Sequence, residues 1–225
     1  MEKKRKKIFE LFKRNKKISE VGIFLALFWG LGFAFLYIPN IEFLTLITFL
    51  SGLLFGLKRG LIVAIIGEIV FSSLNPFGSS LAFPPLLLAQ VVGFGIIAIA
   101  GYVFRGFTQY FQENKIAFSI LLGAAGFILT IIYDSLTTLA FPIASGFGFK
   151  QIIATYIAGI PFSVIHIVVN TLIFFIILPK ILEYVIQHLP EYFPSDKFHA
   201  KSPRREKYLS QDTHLSGQAK EKIIE

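Results

Sequence analysis

Six apolar stretches, residues 20–37, 41–57, 60–74, 84–104, 116–141 and 151–178, divide this chain, and almost all of its charge falls between or outside them. If the stretches cross a bilayer in alternation from a cytoplasmic N-terminus, nine Lys and Arg precede the first. Lys58 and Arg59 then lie between the second and third, Arg105 and Lys115 between the fourth and fifth, and eight follow the last. That sorting puts 21 of the 22 basic residues on the cytoplasmic side and leaves Lys150 outside. Cytoplasmic loops of membrane proteins carry an excess of Lys and Arg, and shifting this topology by one helix scatters the charge. The pattern predicts an all-α integral membrane protein, a bundle of six transmembrane helices in the cell membrane with N and C termini cytoplasmic.

The composition agrees: 54% of residues are hydrophobic and 16% charged, more apolar surface than a soluble domain of 225 residues can hide. Residues 60–74 and 41–57 are short for spanning helices and are expected to tilt little or to thin the bilayer. Both count as spans because the basic turn Leu57-Lys58-Arg59-Gly60 joins them. A chain this apolar satisfies its backbone as helices, and the ten-residue alternation of a barrel is absent. There is no cysteine, which excludes disulfides and thiolate chemistry. The first apolar stretch runs on to Tyr37-Ile38-Pro39-Asn40 without a small-residue cleavage site, so it is expected to stay as an anchor.

Four regions follow. Residues 1–19 form a basic cytoplasmic segment whose Ile8, Phe9, Leu11 and Phe12 share one helical face; it reads either as a helix lying on an anionic leaflet or as a topology signal alone. Residues 20–178 are the transmembrane domain. Residues 179–193 make a second amphipathic cytoplasmic stretch, with Ile181, Leu182, Val185, Ile186 and Leu189 on its apolar side. Residues 194–225 are polar without apolar periodicity and are expected to be disordered. The basic run 201–207 reads as cytoplasmic charge beside six spans, with membrane lipids and no nucleic acid as partner. No internal repeat and no glycine-rich phosphate loop is visible, so uphill transport would draw its energy from another polypeptide.

Gly22, Ala26, Gly30 and Ala34 recur every four residues on one stripe of the first span. Small residues let a second helix approach closely where lipid supplies no hydrophobic drive, and that helix is either the chain's own or a foreign one. Three connections on the outer side, around Asn40 and Glu42, from Asn75 and Phe77 to Pro85, and from Phe141 to Phe149, combine turn residues with hydrogen-bonding and stacking groups. They suit either a shared pocket for a small polar molecule or ordinary helix-end turns.

Polar groups within the spans narrow the candidates, because a carboxylate in hydrocarbon costs about 2.5 to 3.5 kcal/mol even on insertion scales. Glu42 and Asp134 lie toward the outer ends of their helices, and Gln90 and Tyr156 are placed to join them. Glu42 also suits a helix N-terminus by charge alone, and Asp134 suits a buried structural hydrogen bond. Glu68, His166 and Asn170 lie deeper, with Glu68 and His166 expected to pair across the bundle. His166 and Asn170 have the His-x-x-x-Asn spacing of some intramembrane proteases, but Glu68 stands alone, the other histidines lie in the tail and no Gly-x-Ser-x-Gly or Asp dyad is present. These absences weigh against catalysis. One membrane histidine and one glutamate underprovide a metal site, so neither metal nor cofactor is expected.

Ala26-x-x-x-Gly30-x-x-x-Ala34, Ile38-Pro39-Asn40-Ile41-Glu42, Leu53-Leu54-Phe55-Gly56, Asn75-Pro76-Phe77-Gly78 and Leu87-Leu88-Ala89-Gln90 together resemble the substrate-binding membrane subunits (S components) of energy-coupling factor vitamin importers, over residues 20–180. The resemblance implies a non-catalytic six-helix subunit that captures a vitamin or related micronutrient from outside under the loops after spans one, three and five. It implies docking of the first helix on a transmembrane coupling subunit driven by two cytoplasmic ATPase subunits, then toppling to release cargo inward. Carried over, Ala26, Gly30 and Ala34, with Gly22 on the same stripe, form the docking surface; the family's motif usually has alanine where Gly30 stands. The pocket expected from position comprises Asn40, Glu42, Asn75, Phe77, Gln90, Tyr133, Asp134 and Tyr156. An intramembrane enzyme centred on His166 and Asn170, or a scaffold without ligand, remains the alternative.

Overall fold

A computed structural model of the chain describes residues 2–112, 114–189 and 192–193, with the backbone alone at 2 and 109–112. The polar tail expected over 194–225 lies outside the described residues, as do Pro190 and Glu191. The described residues are all-helical: α1 (Glu2–Ala34), α2 (Leu44–Phe55), α3 (Leu57–Leu74), α4 (Pro84–Phe104), α5 (Lys115–Ala144), α6 (Phe149–Leu172) and α7 (Leu178–His188). Four helical runs are long and apolar enough to cross a membrane: α1, α4, α5 and the unbroken run Phe149–His188.

Several boundaries differ from those read in the sequence. The basic segment 1–19 is no separate element: α1 continues through it for 33 residues, a rod of about 50 Å at 1.5 Å per residue, and residues 3–19 are exposed throughout. Likewise 179–193 does not start anew. Residues Ile173–Ile177 form a π-helical turn that joins α6 to α7. Pro179 explains it, since proline lacks the N–H that would bond Phe175 and its ring crowds that carbonyl, so the helix widens rather than breaks. The third outer connection shrinks to Ser145–Gly148, because α5 carries Pro142 inside its last turn and ends at Ala144.

The largest departure is α2. Its 12 residues rise only about 18 Å, against a hydrocarbon core of about 30 Å. Every residue of it is buried, so it is encased by its neighbours where a lipid-facing span of 17 residues was expected. Irregular or short segments are tolerated at membrane depth where protein surrounds them. Close approach makes this possible. A Cβ on Gly101 of α4 would lie 2.0 Å from the Phe49 carbonyl oxygen, and one on Gly52 would lie 2.0 Å from that of Ala98, so α2 and α4 cross backbone to backbone. Around the crossing, Phe49 meets Phe174 edge-on at 5.1 Å between ring centroids and Phe28 meets Phe94 at 5.5 Å. Edge-to-face rings fill a core without polar atoms and add to area burial.

The chain reverses between α2 and α3 at the single residue Gly56, in a left-handed conformation at φ 84° that favours glycine. Lys58 and Arg59 follow at this end. Arg59 pairs there with Glu20 of α1, Tyr192 donates to Glu20 at 2.7 Å, and Arg105 donates to the Tyr192 carbonyl at 2.7 Å. That network ties α1, α3, the end of α4 and the segment after α7 together at the basic end of the bundle.

Candidate functional site

At the opposite end from Lys58 and Arg59, residues 35–43 leave α1 and enter α2 through turns. Asn40 adopts φ 61°, a left-handed conformation that asparagine tolerates better than most residues. This turn brings Glu42 under the mouth of a cavity of about 200 Å³. Phe35 and Asn40 form the lip, Phe71 of α3, Phe94 of α4 and Tyr133 of α5 form walls, and Glu42 and His166 of α6 supply the charged base. The Phe94 and Tyr133 rings are 5.0 Å apart, and Tyr133 meets the His166 imidazole edge-on at 6.2 Å.

Glu42 is the hub of the polar groups. It accepts from the backbone N–H of Leu44, from the N–H of Thr45 at 3.0 Å and from the Thr45 hydroxyl at 2.5 Å, covering the free donors of the first turn of α2. It also receives Asn170 Nδ2 at 3.3 Å and faces His166 Nε2 at 3.3 Å. The other ring nitrogen, His166 Nδ1, lies 2.7 Å from Asp134 Oδ1. Only an imidazolium has a proton on both nitrogens, so a histidine held between two carboxylates is matched to its charged form. The remaining oxygen of Asp134 and the amide oxygen of Asn170 are buried without a partner among the described residues.

Beside this group runs a second chain of contacts. Buried Glu68 accepts from the Ser72 hydroxyl, which lies 3.3 Å from Gln90 Oε1. Five helices, α2 to α6, and the connection before α2 thus send polar side chains into one region of an otherwise apolar bundle. Such groups are costly in a bilayer unless they pair or line a cavity.

Of the residues expected at a pocket, Asn40, Glu42 and Tyr133 line the cavity, Asp134 is bound to its base through His166, and Gln90 lies beside Ser72, the partner of Glu68. Three lie elsewhere. Asn75 spends its side-chain oxygen on the Phe77 N–H at 2.9 Å, closing a turn. Phe77 is exposed and meets Tyr37 edge-on at 5.3 Å, while the Tyr156 hydroxyl sits 2.8 Å from Ser135 on the α5–α6 seam. The expected pairing of Glu68 with His166 does not form: Ser72 satisfies the first, and Asp134 and Glu42 take the second. Phe35, Phe71 and Phe94 join the site unforeseen, and so does His166, which the sequence offered as a partner of Glu68 or an enzyme centre but not as a pocket residue. His166 was legible as the lone histidine within a span; the three phenylalanines, among 26, carried no such mark.

Gly22, Ala26, Gly30 and Ala34 are all exposed on the outside of α1, and a Cβ at Gly22 or Gly30 would meet nothing within 4 Å. The chain's own bundle packs instead on the face bearing Phe28 and Gly32. Among the described residues no group of three metal-ligating side chains is placed to hold an ion. No known protein family, curated protein or solved structure matches this chain.

Proposed function

We propose that this chain is the substrate-capture subunit of an ATP-driven importer, an S component of the energy-coupling factor type. In this reading α1 to α6 cross the cell membrane six times with both termini in the cytoplasm, α2 and α3 included despite the shortness of the first and the three charges of the second. The cavity then faces outward and receives a vitamin or related micronutrient. A transmembrane coupling subunit driven by two cytoplasmic ATPases docks on α1, and the chain itself hydrolyses nothing. Docking drives release only if the docked state binds cargo less well than the free state.

The observation that carries the proposal is the stripe of α1. Four small residues spaced by four are a device for close helix contact, and here they face away from the bundle that would otherwise use them. A self-contained scaffold has no need of such a face. The sorting of basic residues to the end opposite the cavity supports the orientation.

The test is Ala26→Leu/Gly30→Leu. Both side chains project into open space, so thermal stability in detergent is expected to change by less than about 1 kcal/mol, as for surface positions generally. Co-purification with a coupling subunit and two ATPases, and uptake into cells, should both be lost, while ligand binding to the isolated subunit persists. Uptake that survives the double substitution overturns the docking assignment. A peptide-cleaving activity lost on His166→Ala would favour the intramembrane-enzyme reading instead.

A further inference from the structure

The charge on the base of the cavity and the composition of its walls restrict what fits inside. Glu42 and Asp134 share one imidazole, and Glu68 lies behind them bonded only to a hydroxyl. With both shared carboxylates ionised and His166 carrying a proton on each nitrogen, the trio still holds one negative charge in excess. No lysine or arginine lines the cavity to offset it. An uncompensated charge at low dielectric is costly, and a cation entering from outside would relieve it. The side chains bonded around the cavity also leave two buried acceptors without partners, Asp134 Oδ2 and Asn170 Oδ1, and no donor.

The walls supply the second restriction. Phe35, Phe71, Phe94 and Tyr133 line the same cavity as Glu42. Aromatic faces attract cations held within about 6 Å, most strongly when desolvated, and they repel anions. Size completes the argument: an apolar cavity of about 150 Å³ accepts benzene, so about 200 Å³ accepts one ring with a small polar arm.

We propose that the cavity takes a small organic cation built on a single aromatic ring, its charge facing Glu42 and its ring among Phe35, Phe71, Phe94 and Tyr133. This deepens the importer reading and rests on it for the physiological setting, but the chemistry belongs to the cavity alone. Anionic micronutrients of the same size are rejected by Glu42, and neutral ones are held by the ring without the charge.

Three probes of one shape and different charge decide it: benzamidinium, benzamide and benzoate, titrated calorimetrically into the full chain in a neutral detergent. Benzamidinium is expected to bind at least tenfold more tightly than benzamide, with benzoate undetectable. Phe35→Ala should weaken benzamidinium at least fivefold in protein that still elutes as a single folded peak, which locates the binding. Equal or tighter binding of benzamide or benzoate overturns the cationic class, as does silence from all three, and an unchanged Phe35→Ala affinity overturns the location. None of these outcomes touches the importer reading, which stands or falls on the α1 stripe substitutions.

Discussion

Gly101→Leu is expected to leave almost no folded protein, with the chain recovered as aggregate on size-exclusion chromatography in detergent. Even the first added carbon of the new side chain would sit 2.0 Å from the Phe49 carbonyl oxygen and 2.9 Å from its carbon. Those atoms are backbone inside a helix whose every residue is buried, so they cannot swing aside as a flexible side chain would. Inserting one methylene into a packed core costs about 1 to 3 kcal/mol when side chains can adjust. Here whole helices must part. Gly101→Ala should lower the thermal midpoint markedly, and Gly106→Ala, where a Cβ meets nothing within 4 Å, should not. If Gly101→Ala melts with Gly106→Ala, α2 does not cross α4 at this contact and its encased position is wrong.

That crossing also marks where the sequence stops being readable. Elements with local boundary signals were legible: α4 begins at Pro84-Pro85 and ends at Arg105, where its apolar run does. α2 was misjudged in length because burial by protein removes the thickness constraint, and an all-apolar segment reads alike whether lipid or phenylalanine surrounds it. The site shows a similar division. Glu42, Asp134 and Tyr133 could be found because polar groups in an apolar run are conspicuous, whereas their pairing depended on register. Counting equally from the turn at Ser145–Gly148 puts Asp134 opposite Gly159, two turns short of His166. The register is set deeper, where Gly126 receives the Phe174 ring and Gly123 the Phe175 side chain, and this offset carries His166 to Asp134. Asn75 and Phe77 failed to reach the cavity for the opposite reason, since a local turn bond satisfied the asparagine before any tertiary contact could.

Glu42→Gln is expected to destabilise the protein by about 1 to 3 kcal/mol, the range for leaving a buried donor without its acceptor. Every group bonded to Glu42 is a donor: the N–H groups of Leu44 and Thr45, the Thr45 hydroxyl, Asn170 Nδ2 and His166 Nε2. Glutamine offers one oxygen and one NH₂, so in either orientation a donor faces a donor, while Asp134 still neutralises His166. The magnitude discriminates between two descriptions of the site. Neutral side-chain hydrogen bonds between membrane helices average only about 0.6 kcal/mol, so a loss below about 1 kcal/mol would mean that Glu42 serves as an ordinary helix-start acceptor. A double-mutant cycle separates the two duties. The capping of α2 survives His166→Ala, but the charge pairing does not, so Glu42→Gln combined with His166→Ala should cost less than the two single losses together by about 1 to 3 kcal/mol. Additive losses, measured by reversible unfolding in mixed detergent, would show that Glu42 and His166 are neighbours without being partners, and the excess negative charge assigned to the cavity base would have no foundation.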